Sequence, residues 1–311
     1  MSIPDILFPE HMSPKRRRER ERQEKRSNIG SCDLALFDQL QQCFDVCWRS
    51  PDGTALLIQG DAVDVMERIP DGWAQMVFTD PPYGNNNNDG DLIANCEKAV
   101  PNRRSREHKR LDLEEDAAPR PILADDAVTA DWLVKMLFKE AARFLATTGC
   151  CCCCCPGGGG RSPVYALWSI WMDAQMALKQ AVVWDKGPMG IGWHYRRSYE
   201  FVLVGEAKKG AAPWYGDRET ENIIRPGMYG IKKIKPREDQ HPTEKPVELA
   251  AHFIFLHTLQ GEAVVDPFAG SGSTGEAAAR GKRAFLGVEK DPVFFEMAKK
   301  RLVAVHRGLF Y

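Results

Sequence analysis

A glycine-rich segment near the end of the chain has the sequence Asp266-Pro267-Phe268-Ala269-Gly270-Ser271-Gly272-Ser273-Thr274-Gly275. It lies between an apolar run that is typical of a strand and a segment that is typical of a helix, where glycines permit a tight turn and close approach of a ligand. Glu289 ends the next predicted strand, nineteen residues after Gly270. An acidic residue at this distance suits the diol of a ribose. The segment therefore predicts a nucleoside-binding loop.

The position of this loop in the chain predicts an unusual strand order. A dinucleotide-binding sheet normally begins with its glycine-bearing strand and adds further strand and helix units afterwards. Here the pattern predicts only one more strand, Ala284–Glu289, before a final helix from Pro292. The other strands must come from upstream, where strands alternate with helices. We expect an α/β domain with a mostly parallel sheet, helices on both faces and a circularly permuted order.

A second informative segment, Phe78-Thr79-Asp80-Pro81-Pro82-Tyr83-Gly84, follows an apolar run upstream. Each proline fixes its own φ and restricts the residue before it, so the Asp80 carboxylate and nearby carbonyls point in set directions. Tyr83 adds a ring that can stack on a ligand. Two interpretations remain at this point: a functional site at the end of a strand, or an ordinary exit from that strand.

Upstream periodicity supplies the remaining elements. Apolar residues at helical spacing cover Leu34–Trp48 and Val164–Gln180, and shorter apolar runs predict strands at Ala181–Asp185 and Ser198–Val204. Six of the ten cysteines form one run, Cys150–Cys155. Because adjacent residues of a strand point to opposite faces, this run cannot supply a tetrahedral metal cage by itself. Cysteine also behaves as a small buried hydrophobe, so we predict a buried central strand and no metal site.

The length of 311 residues allows one large α/β domain with insertions. We predict a single domain over residues 31–311, with polar insertions at 85–127 and 206–240, after a basic tail over residues 1–30. In the tail, Lys15–Arg26 holds eight basic and three acidic side chains, which either contact nucleic-acid phosphates or form a solvated segment. No apolar run is long enough to span a membrane, and no signal-peptide pattern is present. We therefore expect a cytoplasmic protein.

Three motifs in this order resemble a known family, the amino-methylating DNA methyltransferases of the β class, which use S-adenosylmethionine. Asp80–Tyr83 is similar to the catalytic motif of the family, and Phe268–Gly272 to its cofactor motif. His241–Pro246 resembles a third recurring element, while Glu200 falls where a weaker motif occurs. The resemblance spans roughly Ala55–Leu302 and implies a Rossmann-like, S-adenosylmethionine-dependent methyltransferase fold with permuted motifs.

The resemblance implies how the site would work. A base is swung out of double-stranded DNA, and its amino hydrogens meet the Asp80 side chain and a carbonyl of the Asp80-Pro81-Pro82 unit. Tyr83 would stack on that base. These acceptors favour a pyramidal, nucleophilic nitrogen, which attacks the methyl group directly without a covalent enzyme intermediate. Asp80, Pro81, Pro82 and Tyr83 are thus the expected catalytic set.

The resemblance also implies a set of cofactor-binding residues. Glu289 would hold the ribose hydroxyls, Asp266 would meet the methionine amino group, and Lys245 its carboxylate. Asp61 would contact the adenine end, although an acid before a predicted helix is equally well explained as a cap. The full set is Asp61, Thr243, Lys245, Asp266, Phe268, Gly270, Gly272 and Glu289.

The expected activity is methylation of adenine in DNA, in a restriction-modification or phage-type modification system. Adenine is preferred because Asp80 resembles the adenine enzymes, whereas cytosine-amino enzymes more often carry Ser at that place. A cytosine-amino methyltransferase is the first alternative; an oxidoreductase using a nicotinamide cofactor and a non-catalytic nucleic-acid-binding protein are more distant ones. Cytosine carbon-5 methylation is disfavoured because no Pro-Cys pair occurs. The expected partner is double-stranded DNA, with no membrane and with a homodimer as a possible assembly.

Two segments are candidates for recognising the target sequence. The region 206–240 is small for this purpose, and the insertion 85–127 contains the basic cluster Arg103–Arg110. Phosphate contacts and simple solubility look alike in a basic loop, so the cluster is either part of the DNA interface or solvated.

Overall fold

A computed structural model describes residues 33–84, 123, 125–157, 164–187, 198–216, 218, 220–225, 227–228 and 244–308, together with residues 14, 18, 21 and 22. The predictions for Thr243, for the basic cluster Arg103–Arg110 and for most of the tail fall outside these residues. The division into a tail and one domain with two insertions therefore stays a prediction.

The described residues form a single mixed sheet with helices on both faces. The strands are β1 (Cys47–Arg49), β2 (Ala55–Gln59), β3 (Ala74–Thr79), β4 (Leu145–Pro156), β5 (Ala177–Asp185), β6 (Tyr199–Glu206), β7 (Ile223–Ile224), β8 (Ala263–Asp266) and β9 (Ala284–Glu289). The helices that pack on the sheet are α1 (Ala35–Cys43), α2 (Ala62–Met66), α3 (Ala127–Phe144), α4 (Val164–Gln175), α5 (Val247–His257), α6 (Ser273–Arg280) and α7 (Pro292–His306).

The strand order confirms the permuted arrangement. The strands lie in the order β1-β2-β9-β8-β3-β4-β6-β5-β7. Strands β2, β9, β8, β3 and β4 run parallel to one another, whereas β6 is antiparallel to both of its neighbours. Strand β3 pairs with β8 through Met76 and Val264, so the segment that precedes Asp80 lies beside the segment that precedes the glycine loop. The sheet is mostly parallel, as predicted.

The core is divided between the two faces of the sheet. Helices α1 to α4 cover one face and helices α5 to α7 cover the other. Alternation along β4 sends Cys151, Cys153 and Cys155 into the first core and Cys150, Cys152 and Cys154 into the second. All six are at most 1% exposed and β4 lies between β3 and β6, so the prediction of a buried central strand is confirmed.

Local signals explain where several helices begin. The Asp126 carboxylate accepts hydrogen bonds from the Val128 and Thr129 amides at the start of α3. Asp291 caps α7 in the same way, with Pro292 in the first turn, where its missing amide hydrogen costs nothing. None of the helices in the described ranges has both the length and the apolar character needed to cross a membrane.

Two helices end well before their predicted ends. The helix predicted over Val164–Gln180 ends at Gln175, and β5 already begins at Ala177. Residues 177–180 have good helix propensity. This segment instead pairs with the end of β6, where Ala177 lies opposite Glu206, and this pairing overrides the propensity. The helix predicted over Leu34–Trp48 ends at Cys43, because Cys47–Arg49 pairs antiparallel with β2. Such pairing depends on a partner that local periodicity does not reveal.

Candidate active site

The candidate site lies where parallel strands β3 and β8 end side by side. In such sheets ligands bind outside the carboxyl ends of the strands. A cavity of about 280 Å³ opens here, close to the lower end of the roughly 300–1,000 Å³ range of ligand pockets. It is lined by ten of the residues that the sequence analysis assigned to function: Asp61, Asp80, Pro81, Pro82, Tyr83, Lys245, Asp266, Phe268, Gly270 and Glu289.

A buried lysine holds the Asp80 carboxylate in place. Lys245 is 6% exposed. Its Nζ lies 2.6 Å from Asp80 Oδ2 and 3.3 Å from Glu200 Oε2. The other oxygen, Asp80 Oδ1, is buried and has no hydrogen-bond partner among the described residues. Since buried polar atoms are nearly always hydrogen-bonded, Asp80 Oδ1 is an acceptor that awaits a donor.

Burial and charge pairing act against each other in this cluster. Burial raises the pKa of Asp80 above its usual value, and Lys245 offsets only part of that rise. Burial alone would lower the pKa of Lys245, but the two carboxylates outweigh it and raise this pKa. Burial likewise opposes ionisation of Glu200, yet Lys245 and Lys186 lower its pKa. The lysine is therefore charged and keeps two carboxylates together in a dry site.

The Tyr83 ring is fixed from several sides. Its hydroxyl donates to Glu200 Oε2 at 3.2 Å. The ring meets Trp168 edge-on, with centroids 6.0 Å apart, and Lys245 Nζ lies 5.2 Å from the ring centroid. Burial, followed by the charges of Asp80 and Glu200, raises the pKa of Tyr83 well above its usual value. The hydroxyl stays protonated, so Tyr83 serves as an oriented ring rather than as a base.

Glu200 was not among the residues assigned to the site from sequence. The available signal was its place in a weak motif of the family that the chain resembles. The structure shows why it matters: Glu200 contacts Lys245, Tyr83 and Lys186, the last at 2.7 Å. It is the shared acceptor that connects the Asp80 motif to the residues before α5.

The opposite wall of the cavity is formed by the glycine loop and Glu289. The Glu289 carboxylate accepts hydrogen bonds from the Gly270 amide and the Asp291 amide, both at 2.8 Å. Burial raises the pKa of Glu289 to about 7. Each carboxylate oxygen keeps a further lone pair, so this group can also accept hydrogen bonds from a diol.

Asp266 connects the two strands beneath the cavity. It is 2% exposed, and its Oδ1 accepts hydrogen bonds from Thr79 Oγ1 at 2.6 Å and from the Phe268 amide at 3.1 Å. Burial raises the pKa of Asp266 to about 6. Thr79, which the sequence analysis did not assign, therefore links the strand before Asp80 to the start of the glycine loop.

Gly272 has a packing role that its sequence motif did not reveal. It precedes α6 with φ of 82°, a left-handed conformation that favours glycine. A Cβ at this position would lie 3.0 Å from both Cα and Cβ of Ala298 in α7. Gly272 thus lets the loop pack against α7, while Gly270 lines the cavity.

Asp61 has structural partners as well as a place in the cavity wall. Its Oδ1 accepts a hydrogen bond from the Val63 amide at 2.9 Å and so caps α2. Its Oδ2 lies 3.0 Å from Lys290 Nζ. The capping interpretation is confirmed, and a role toward the cofactor stays a prediction.

Comparison with known proteins connects this geometry to a family. A profile of the DNA methylase family matches residues 74–300. The Type II methyltransferase M2.MboI of Moraxella bovis is 22% identical over 273 residues, which cover 82% of this chain and 89% of that protein. The matched region contains both β3 and the glycine loop.

Solved structures share the fold. M1.HpyAVI in its complex with SAM has a TM-score of 0.52 and 20% identity, over 80% of this chain and 99% of that one. PvuII DNA methyltransferase, described as cytosine-N4-specific, has a TM-score of 0.56 and 17% identity, over 82% and 90% of the two chains. The predicted methyltransferase fold is therefore confirmed.

Proposed function

Because the chain belongs to the DNA methylase family of N6/N4 methyltransferases, we propose that it transfers a methyl group from S-adenosylmethionine to the exocyclic amino group of adenine in DNA. One observation carries the catalytic part of this proposal. Asp80 lines the cavity, and its Oδ1 is a buried acceptor without a partner in the described residues, while Lys245 holds its Oδ2. The exocyclic amino group of a base can donate the hydrogen bond that Asp80 Oδ1 lacks.

The residues around the cavity support this chemistry. An exocyclic amino group is a poor nucleophile, because its lone pair is delocalised into the ring. A hydrogen bond to Asp80 Oδ1 favours the pyramidal nitrogen as charge develops. Pro81 and Pro82 restrict the backbone that carries this carboxylate, and Tyr83 presents a ring on which a flipped base can stack. Much of the rate enhancement then comes from positioning the nitrogen of the base against the methyl donor.

The cavity also fits the cofactor. The Glu289 carboxylate suits the ribose diol, and the backbone of Gly270 allows close approach of a ligand. Phe268 and Phe294 add aromatic surface to the same wall. When bound, S-adenosylmethionine supplies an electrophilic methyl group. Thr243, Lys245, Asp266, Gly272 and Asp61 complete the proposed cofactor set.

Adenine is the proposed base because an aspartate occupies the first position of the catalytic motif. The alternative is the cytosine amino group. The test is to incubate mixed DNA with methyl-labelled S-adenosylmethionine, digest it to nucleosides and separate them against N6-methyldeoxyadenosine and N4-methyldeoxycytidine standards. We expect label in the adenine product. Label in the cytosine product would overturn the base assignment, and cofactor binding without any label in DNA would overturn the activity itself.

A pH dependence of cofactor binding is expected from Glu289. Because burial raises its pKa to about 7, the carboxylate gains a proton below that pH and loses an acceptor for the ribose. We expect the affinity for S-adenosylmethionine to fall below this pKa, by at most about tenfold per pH unit, and to level off above it. Isothermal titration calorimetry across this range measures the effect.

The matched control for this pH dependence is Glu289→Gln, which cannot titrate. We expect weaker binding in this variant with no change in affinity around neutral pH. A residual change near pH 6 would belong to Asp266, whose pKa burial raises to about 6. A wild-type affinity that is constant down to the pKa of Asp266 would contradict the role of Glu289.

The proposed partner is double-stranded DNA, from which the target base is flipped into the cavity. A homodimer, a cytoplasmic location and recognition through 206–240 or through the Arg103–Arg110 cluster stay predictions.

A further inference from the structure

A cluster of soft donor atoms lies on the α5 face of the sheet, outside the active-site cavity. The sulfur atoms of Cys150 and Cys152 lie 3.7 Å apart. One ring nitrogen of His257, the last residue of α5, lies within 4.8 Å of both sulfurs, and all three residues are buried. Both cysteines are free thiols. Two thiols and an imidazole therefore converge from a strand and a helix.

The spacing of these atoms fits a transition-metal site. Thiolate sulfur and imidazole nitrogen are donors that zinc prefers, with Zn–S bonds of about 2.3 Å. In a tetrahedron with bonds of that length, two sulfurs are separated by about 3.8 Å. The distance between Cys150 and Cys152 is 3.7 Å. Two thiolates also neutralise a divalent ion, so the loaded site would carry no net charge into the core.

The histidine supplies an independent observation. His257 is 7% exposed, and its Nδ1 is buried without a hydrogen-bond partner among the described residues. Buried imidazole nitrogens normally have a donor, an acceptor or a metal as partner. The nearby Glu206 carboxylate is already occupied by Lys179 Nζ at 2.7 Å and by the Gly210 amide at 2.6 Å. His257 thus brings a ring nitrogen within 4.8 Å of two sulfurs that suit the same ion, and it also has a buried nitrogen without a partner among the described residues.

The histidine of this cluster also borders a cavity. His257 lines a second cavity of about 250 Å³, whose wall includes Glu206 and Trp214. Cys150 and Cys152 do not line this cavity, but an ion held at His257 would have room there for water as a fourth ligand. The first cavity, which contains Asp80 and Glu289, has no lining residue in common with it.

We propose that Cys150, Cys152 and His257 bind a zinc ion that fastens the end of α5 to the centre of the sheet. Helix α5 begins at Val247, two residues after Lys245. The ion would therefore anchor the helix whose other end follows the lysine that holds Asp80. This is a structural role and does not depend on the proposed reaction.

The test uses the full chain without an affinity tag, purified in the presence of a reductant. We expect about one zinc ion per chain by inductively coupled plasma mass spectrometry after dialysis. Replacement by Co²⁺ should produce a thiolate-to-cobalt charge-transfer band and the visible bands of a tetrahedral site. Removal of the ion with a chelator should lower the Tm, and added Zn²⁺ should restore it.

Matched variants separate ligation from packing. Cys152→Ala and His257→Gln should lose the zinc and the cobalt spectrum. Cys151→Ala removes an equally buried thiol from the opposite face of β4 and should keep both. Absence of zinc and of cobalt bands in the wild type would overturn the proposal. So would unchanged zinc in Cys152→Ala and His257→Gln, or equal loss of zinc in Cys151→Ala.

Discussion

Asp80→Ala is expected to lower methyl transfer by about 10²–10³-fold while leaving the affinity for S-adenosylmethionine close to that of the wild type. The variant removes the buried acceptor Oδ1, which is placed to meet the amino group of the base. Among the described residues, Glu289 pairs with Gly270 and Asp291, and Asp80 pairs with Lys245, so the cofactor wall and this carboxylate share only the cavity. The loss should therefore appear in the rate of the chemical step.

Single-turnover methylation at saturating cofactor measures that rate, and calorimetry measures binding separately. Asp80→Asn is the informative companion, because it keeps one oxygen as an acceptor while it loses the charge and replaces the other oxygen with an NH2 donor. We expect it to retain more activity than the alanine variant. Asp64→Ala, at an exposed position of α2, is the control and should transfer methyl groups normally. Turnover by Asp80→Ala at the wild-type rate would show that this carboxylate has no catalytic role.

Lys245→Met is expected to lower the free energy of unfolding by about 3–5 kcal/mol at neutral pH, because it leaves buried carboxylates without their shared cation. Lys245 contacts both Asp80 and Glu200 and is 6% exposed. The methionine fills a similar volume, so the effect should come mainly from charge. Urea denaturation, analysed with a common slope for both proteins, measures it.

The pH dependence of this variant has a definite sign. Without Lys245, the pKa values of Asp80 and Glu200 in the folded protein should lie above those in the unfolded chain. The folded state then binds more protons, so the deficit in stability should grow as the pH rises and shrink as it falls through the raised pKa values. The pKa of Asp80 is above its usual value even in the wild type.

Lys179→Met is the matched control for Lys245→Met. Lys179 also pairs with a carboxylate, that of Glu206, but the lysine side chain is 56% exposed, and the 6% exposed carboxylate keeps a second donor in the Gly210 amide. Solvent screens such a pair, so we expect a loss of less than about 1 kcal/mol. Equal losses in the two variants, or a change of less than about 1 kcal/mol in Lys245→Met, would contradict the explanation based on burial.

Local patterns in the sequence were sufficient for most of the fold. Three features depend only on neighbouring residues: the alternation of side chains along the strands, the glycine loop and the helix caps. All three are present in the structure. The wrong boundaries lie where a distant strand overrides helix propensity, as at Ala177. The cavity-lining residues were assigned through the family resemblance, and all of them except Lys245 lie at or just after a strand end, where the parallel topology places a ligand.

The contacts between side chains that are distant in sequence could not be predicted in the same way. The assignment of Lys245 to a cofactor carboxylate stays a prediction, but the sequence did not indicate its contact with Asp80, 165 residues away. Glu200 and Thr79 were not assigned, since nothing next to them in the chain shows that they contact Tyr83 and Asp266. The assignment of Gly272 to the ligand stays a prediction, and the sequence did not indicate that its missing Cβ also makes room for Ala298.

The cysteine run shows most clearly the difference between what the sequence determines and what the tertiary structure decides. The sequence by itself determined that Cys150–Cys155 forms a buried strand, because alternation and apolar character are local properties. It also indicated that this run cannot complete a metal cage alone. Only the tertiary structure brings His257, from a helix about a hundred residues later, to the two cysteines on one face. Which face of a strand meets which helix is decided by packing of the whole sheet, and that information is not contained in any local segment.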